Sequence, residues 1–156
     1  HRRRHSFPTR RSSDLLAGAT GPISEPAQLA FRLEVLKVLG DVVPAKVAER
    51  ALIVGAGGAF SVIGLYLEAM GEPAVAGRLP LLRIRELKDK LCRMNALERR
   101  TLPGIPADRL DIMPAALLTL CILADLTGAE AFQVTHRGVR HGMVQLLLSE
   151  SGKHLA

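Results

Sequence analysis

At 156 residues the chain has room for one small domain, and its 48% hydrophobic residues allow it to bury a core. Tryptophan is absent and aromatic residues make up only 3%, so this core must consist mainly of aliphatic side chains. The formal net charge of +6 is concentrated at the start: beyond residues 1–15 there are 16 basic and 14 acidic residues, a net charge of +2. Because nucleic-acid-binding and membrane-binding surfaces spread positive charge over the folded face, the composition argues against both partners.

Residues 1–15 show no apolar periodicity and are not expected to fold on their own. Their stretch Ser-Phe-Pro-Thr-Arg-Arg-Ser-Ser-Asp-Leu resembles the translation of a sequencing adapter, so we interpret residues 1–15 as an artefactual or disordered basic segment. Under this interpretation the true start lies upstream of Leu16. The alternatives are a basic arm that binds nucleic acid and an arginine-rich targeting peptide.

The first predicted helix begins at Ser24-Glu25-Pro26, with Ser24 as its N-cap and the proline in its first turn. Gly40 is predicted to end it. The side chains predicted to form its buried face are Leu29, Leu33, Val35, Leu36 and Leu39.

A short strand is predicted over residues 50–55, Arg-Ala-Leu-Ile-Val-Gly. Because polar residues do not alternate along it, we expect both of its faces to be covered. A second helix is predicted from about Ala59 to Met70, ended by Gly71, and residues 72–82 are predicted to form a loop.

The second half of the chain predicts two more long helices, a strand and a last helix. The buried stripe of the third helix is formed by Ile84, Leu87, Leu91 and Met94. Residues 102–106 predict a turn, after which Asp108 caps a long apolar helix that runs to about Leu126. Residues 131–135 predict a strand, followed by a helix over about 138–148 that is expected to bury Val139, Met143, Leu146 and Leu147. Between these elements, a structural salt-bridge cluster is predicted from Glu98, Arg99, Arg100, Asp108, Arg109 and Asp111.

The two cysteines, Cys92 and Cys121, lie in apolar helical surroundings and lack the pattern of a secreted disulfide scaffold. We expect buried, reduced thiols in a cytoplasmic protein. The longest uncharged runs, residues 51–67 and 112–124, are shorter than the roughly 20 residues of a spanning helix, so no membrane segment is predicted.

The glycine-rich stretch Val-Gly-Ala-Gly-Gly-Ala at 54–59 is the first candidate site, because it lies between a predicted strand and a predicted helix. Glycines at such a junction let backbone N–H groups approach an anion, and the helix dipole favours negative charge. A tight turn without a ligand is the alternative. The stretch is not a dinucleotide fingerprint, because Gly64 comes too late for the G-x-G-x-x-G spacing and no second strand with a terminal acid follows.

The second candidate is Arg-Gly-Val-Arg-His-Gly at 137–142, directly after the second predicted strand. Arg137 and Arg140 could pair bidentately with phosphate oxygens, and a solvated helix start is the alternative. His136 and His141 are five positions apart and fall on different helix faces, so no metal site is predicted. The sequence contains no Cys-x-x-Cys, His-Glu-x-x-His or Gly-x-Ser-x-Gly motif and no paired carboxylates that indicate acid–base catalysis.

Several segments in order resemble the second domain of the exopolyphosphatase/guanosine pentaphosphate phosphohydrolase (Ppx/GppA) family. After the glycine-rich turn come Glu98-Arg99-Arg100-Thr101-Leu102-Pro103-Gly104, Arg109-Leu110-Asp111, the long apolar helix, Gln133-Val134-Thr135 and Gly138-Val139-Arg140-His141-Gly142. The resemblance covers roughly residues 24–148. It implies a ribonuclease-H-like fold of the actin/Hsp70/sugar-kinase superfamily.

The resemblance also implies an activity, the hydrolysis of terminal phosphoanhydride bonds of polyphosphate or guanosine pentaphosphate, with a glutamate as base and a divalent cation such as Mg²⁺. In the family, the glutamate and the first phosphate loops belong to a region that this chain lacks. We therefore expect a fragment that is not catalytic alone. The resemblance places the second phosphate loop at the glycine-rich turn, and the phosphate-binding residues predicted are Gly55, Gly57, Gly58, Ala59 and Arg140.

Three positions depart from the family pattern. Ala59 stands where family members usually have threonine, so a hydroxyl donor is lost. Ala115, in Pro114-Ala115-Ala116, replaces a glycine and adds a methyl group where a ligand could approach, and His141 replaces a glutamate. The alternative reading is therefore a degenerate, non-catalytic phosphate- or nucleotide-binding or regulatory relative; without the resemblance, a helical interaction domain remains.

The predicted architecture is a helix-rich α/β domain over residues 16–150, followed by a tail at 151–156. Its two short strands come from an otherwise absent five-stranded sheet. Because such a sheet exposes strand edges, we expect marginal stability or association through the edge, for example as a homodimer.

Overall fold

The computed structural model describes residues 16, 20–40, 42–43 and 52–153, with the side chains of residues 139–140 and 150–153 left out. It is a helix-rich α/β fold, as predicted. The helices are α1 (Glu25–Leu39), α2 (Gly58–Ala69), α3 (Leu81–Arg93), α4 (Ala96–Arg99), α5 (Met113–Thr127) and α6 (Val139–Lys153). The strands are β1 (Val54–Ala56), β2 (Arg78–Pro80) and β3 (Ala131–Thr135), and a 3₁₀ helix covers Ala107–Arg109. The predicted basic segment, residues 1–15, lies outside the described residues.

Among the described residues the sheet has three strands in the order β1-β3-β2, where the sequence predicted two. β1 runs parallel to β3, with Ala56 opposite Thr135, and β2 runs antiparallel to β3. The additional strand, β2, lies within the stretch predicted to be a loop. Its three residues are too few to show a period, and its extended conformation comes from pairing with β3.

Helix α5 lies at the centre of the fold because it is apolar all round. One side of it, with Met113, Leu117 and Cys121, belongs to a core cluster shared with α2, α3 and the sheet. Its other side, with Leu118 and Ile122, belongs to a second cluster shared with α1. The single helix therefore joins the two halves of the core.

Helix α1 begins as predicted, with the Ser24 hydroxyl accepting a hydrogen bond from the Ala27 N–H. Its predicted buried face is partly wrong. Phe31 and Val35 are the buried residues, whereas Leu29 and Leu33 are 58% and 53% exposed. Phe31 and Val35 belong to the cluster shared with α5, and Leu36 and Leu39 pack against this cluster while only partly buried.

Strand β1 is not covered on both faces, contrary to the prediction. It is an edge strand among the described residues, and Val54 is 56% exposed. The strand also begins later than predicted, at Val54, while residues 50 and 51 lie outside the described residues.

Of the predicted salt-bridge cluster, the described contacts include one ion pair, Asp108 with Arg109 at 3.5 Å, and the rest of the prediction is wrong. Arg99 is buried and donates hydrogen bonds to the carbonyl oxygens of Leu91 and Gly21, so it holds the end of α3 against the segment before α1. Glu98 forms a capping box with Asn95 at the start of α4. Backbone groups therefore bind the side chains of Arg99 and Glu98, which were expected to pair with opposite charges.

The prediction that Asp108 caps α5 is also wrong. Asp108 lies inside the 3₁₀ helix, and the residue at the N-cap position is Ile112. The apolar helix itself is present and ends at Gly128, which has the left-handed conformation typical of a helix end.

Helix α6 is present where the sequence predicts a helix, but its predicted burial is wrong. Met143, Leu146 and Leu147 are each more than half exposed, and so are Val144 and Leu148. The side chain of Val139 lies outside the described residues. Sequence spacing identified the helix correctly but could not identify what its apolar side chains contact.

Both cysteines are buried free thiols in the structure, as predicted. Burial raises the pKa of each thiol, although nearby Lys88 opposes the shift. Within the described part of the chain, no helix is both long enough and apolar enough to cross a membrane.

Candidate functional site

The turn between β1 and α2 depends on Gly57. Its φ of 108° and ψ of −177° lie in a backbone region that residues other than glycine rarely adopt. This conformation ends β1 and starts α2 one residue later, so the strand leads into the helix without a connecting loop.

Gly55 has a different role at the same junction. It is buried, and a Cβ atom placed on it would lie 2.4 Å from Cζ of Phe60. The Phe60 ring in turn packs on Phe132 of β3, with ring centroids 5.4 Å apart. Packing therefore explains why this position is glycine, and the contact fixes the start of α2 against the sheet.

The N-terminus of α2 is open. Gly57 provides no side-chain cap, the first turn contains no acidic residue, and a Cβ atom on Gly58 would meet nothing within 4 Å. The N–H groups of a first helical turn lack intrahelical partners and carry the positive end of the helix dipole. Such a helix start offers hydrogen-bond donors and a favourable potential to an anion. Ala59, next in the turn, contributes a backbone N–H and no hydroxyl.

The junction between β3 and α6 is more exposed. The Thr135 hydroxyl accepts a hydrogen bond from the Arg137 N–H at 3.1 Å, which shapes the turn after the strand. His136 and Arg137 are exposed, and Arg137 forms no ion pair with a described residue. Arg140 lies in the first turn of α6, and its side chain is outside the described residues.

The two candidate stretches meet at one edge of the sheet. Because β1 and β3 are parallel and Ala56 pairs with Thr135, both strands end at the same edge, about 4.8 Å apart. Ligands of open α/β sheets bind outside the carboxyl ends of the strands. The stretches at 54–59 and 137–142 are about 80 residues apart in the sequence, and the fold brings them to the same edge of the sheet.

Sequence reasoning missed two hydroxyl groups at this edge. Thr135 was assigned to a strand, and Ser61, whose hydroxyl lies 3.4 Å from the Gly57 carbonyl oxygen, was not considered. Thr135 is identified only by the parallel pairing of the strands at 54–56 and 131–135, for which the sequence carries no local signal.

Two of the positions that depart from the family pattern have clear surroundings. Ala115 is buried in the cluster shared with α1, so its methyl group contacts protein, contrary to the expectation that a ligand approaches it. His141 is exposed in the first turn of α6. Among the described residues, no group of three or more His, Cys, Asp or Glu side chains is placed to hold a metal ion.

The sequence profile of the Ppx/GppA phosphatase family matches residues 20–151. Among curated proteins, no sequence match is found. The profile thus covers both candidate stretches and every described helix and strand except the last two residues of α6.

Several solved structures have a similar fold, among them two from Aquifex aeolicus and one from Cytophaga hutchinsonii. A Ppx/GppA enzyme of Aquifex aeolicus is 17% identical with a TM-score of 0.73, covering 87% of this chain and 46% of that protein. Another structure of the Aquifex aeolicus family member is 20% identical with a TM-score of 0.72, covering 94% and 47%. An exopolyphosphatase from Cytophaga hutchinsonii is 18% identical with a TM-score of 0.67, covering 85% and 45%. The chain thus spans about half the length of the structures it matches.

Proposed function

The chain belongs to the Ppx/GppA phosphatase family, and we propose that it supplies a phosphate-binding half of a phosphohydrolase acting on polyphosphate or guanosine pentaphosphate. The observation that carries this proposal is the open, uncapped N-terminus of α2 at the carboxyl edge of the sheet. The similar fold of an exopolyphosphatase supports the choice of substrate class.

The proposed chemistry is phosphate binding by backbone amides. The N–H groups at Gly58 and Ala59 donate to phosphate oxygens, and the helix dipole stabilises their charge. Gly57 sets the direction of the turn, and the absence of a side chain on Gly58 leaves room for the oxygen atoms. Arg137, exposed at the start of the neighbouring helix, adds positive charge to the same edge.

We further propose that this chain does not hydrolyse phosphoanhydride bonds by itself, because it matches less than half of each similar structure. The catalytic glutamate implied by the family resemblance would then come from the other half. The divalent cation implied by the resemblance, such as Mg²⁺, would need ligands beyond these side chains, because the described residues include no group of three His, Cys, Asp or Glu placed to hold a metal ion.

The proposal is tested by the binding of pyrophosphate and polyphosphate to the chain, measured by isothermal titration calorimetry, with two glycine-to-alanine variants. Gly58→Ala places a methyl group where the oxygens bind and is expected to weaken binding at least about tenfold. Gly64→Ala, in the middle of the same helix, also meets nothing within 4 Å and serves as the matched control.

Equal affinities of the two variants would contradict a site at the N-terminus of α2. A complementary variant, Gly58→Asp, separates binding from folding. Its carboxylate interacts favourably with the helix dipole and stabilises the fold by about 0.3–1 kcal/mol. The same negative charge repels the phosphate ligand, so thermal stability should rise while binding is lost.

A non-catalytic, regulatory relative is the second candidate function, favoured by Ala59 where the family usually has threonine. The complete gene product distinguishes the two functions, because only the enzyme releases orthophosphate from polyphosphate. If the hydroxyl is what is missing, Ala59→Thr should strengthen pyrophosphate binding, whereas Ala59→Val, of similar shape, should not.

A further inference from the structure

The sheet has one covered and one open face. Leu79 and Phe132 point into the core, and buried Gly55 lies on the same side. Because side chains alternate along a strand, the neighbouring residues face the other side. That open face is lined by Val54, Ala56, Arg78, Pro80, Gln133 and Thr135.

Arg78 gives this open face its charge. It is exposed, and within the described part of the chain it forms no ion pair. The strand residues of the open face include no carboxylate. The nearby Arg83 differs, because Glu72 and Glu86 hold its guanidinium at 2.6 and 2.9 Å. Of Arg78 and Arg83, it is therefore Arg78 that remains available to an anion.

The strand register gives the position of Arg78 relative to the α2 N-terminus. Arg78 lies opposite Gln133, which in turn lies opposite Val54 of β1. Across the sheet, Arg78 is two strand spacings from β1, or about 10 Å. Along the strands, the level of Arg78 and Gln133 is two residues, or about 7 Å, from Thr135 at the edge. A single phosphate group at the α2 N-terminus does not span this distance, whereas a chain of several phosphate groups does.

We propose that Arg78 determines chain-length preference, by binding distal phosphate groups of a linear polyphosphate whose end lies at the α2 N-terminus. This inference rests on the proposed function. The planar guanidinium can donate two parallel hydrogen bonds to phosphate oxygens. The polyanion crosses the end of β3, where the side chains are the uncharged Thr135 and Gln133. The site thereby favours an extended inorganic polyphosphate over a compact diphosphate.

The test compares Arg78→Gln with Arg93→Gln in the full chain. Arg93 is exposed at the end of α3 and likewise forms no ion pair with a described residue, so the control removes the same charge elsewhere. Calorimetric titrations use pyrophosphate and a long-chain polyphosphate. Arg78→Gln should weaken polyphosphate binding at least about tenfold and leave pyrophosphate binding unchanged, since a hydrogen bond to a charged group contributes about 1.5–3 kcal/mol. Arg93→Gln should change neither.

The other outcomes separate this inference from the proposed function. If polyphosphate binds Arg78→Gln as tightly as the wild type, or if pyrophosphate binding falls equally, the role of Arg78 is refuted while the α2 site stands. If the wild type does not bind pyrophosphate, the proposed function itself fails. Arg78→Lys keeps the charge but loses the bidentate geometry, so an intermediate loss of polyphosphate binding is expected, with an unchanged melting temperature showing that the fold is intact.

Discussion

The two strand-to-helix junctions at the carboxyl edge of the sheet have the same topology but differ in how firmly they are held. At the first junction, Gly55 and Phe60 are buried and the Phe60 ring packs on Phe132. At the second, His136 and Arg137 are exposed, and so are all the side chains of residues 141–149 in α6. The same topology therefore gives one junction integrated into the core and one that lies on the surface.

The difference follows from the helix that comes after each turn. Helix α2 carries Phe60, Ile63 and Leu67 on one face, and all three are buried in the main cluster. Helix α6 spreads its apolar side chains widely around the axis and buries none of those described. A site that binds anions through backbone N–H groups needs the fixed geometry of the first junction, whereas long arginine side chains can act from the second.

The largest expected effect that tests this comparison is the loss of the Phe60 ring. Phe60→Ala should lower the free energy of unfolding by about 3–5 kcal/mol, because it opens a cavity beneath the turn and frees the start of α2. Leu148→Ala, at an exposed position of α6, should change the free energy of unfolding by less than about 0.5 kcal/mol. Urea denaturation followed by circular dichroism measures both values, and similar losses would show that α6 is packed after all.

A smaller effect is expected at the glycines of the two turns. Gly57→Ala forces a side chain into a φ of 108° and should cost about 1–3 kcal/mol. Gly138→Ala, in the second turn, meets nothing within 4 Å and lacks the positive φ, so its cost should be near zero. Thermal melts of both variants check this, and equal melting temperatures would mean that the first turn is not conformationally constrained.

The elements that the sequence predicted well are those whose signals are local. The start of α1 at Ser24, the end of α5 and the strand at 131–135 are each specified by a cap, a glycine or β-branched and aromatic residues. Burial was predicted less well, because it depends on what another segment supplies. The leucines of α1 and α6 have helical spacing in both cases, yet only tertiary contacts decide which face is covered.

The candidate site shows the same division. The glycine-rich turn could be found from the sequence, because its glycines follow an apolar strand. Arg78 could not, because β2 has only three residues and takes its extended conformation from the neighbouring strand. The adjacency of residues about 80 positions apart also depends on parallel pairing, which carries no local signal.

The pH dependence of the free energy of unfolding tests the burial of the two cysteine thiols in the core. Burial raises the pKa of the Cys92 and Cys121 thiols, so the unfolded chain loses these protons at lower pH than the folded chain. Stability is therefore fully present below the ordinary thiol pKa, about 8.5, and falls as the pH rises toward the folded values. Urea titrations at pH 7.5 and 9.5 should show this loss, and Cys92→Ala should reduce it. A pH-independent stability over this range would contradict burial of the thiols.

The smallest expected effect concerns how far each helix is coupled to the core. Gly64→Ala in α2 and Gly142→Ala in α6 each replace a helical glycine that has free space around it, and each should stabilise its helix by about 0.5–1 kcal/mol. Because α2 unfolds with the core, Gly64→Ala should raise the global free energy of unfolding by that amount. Because α6 can unfold locally, Gly142→Ala should leave the global value unchanged and slow amide hydrogen exchange only within residues 143–149. A global gain from both variants would show that the second junction is as firmly coupled to the core as the first.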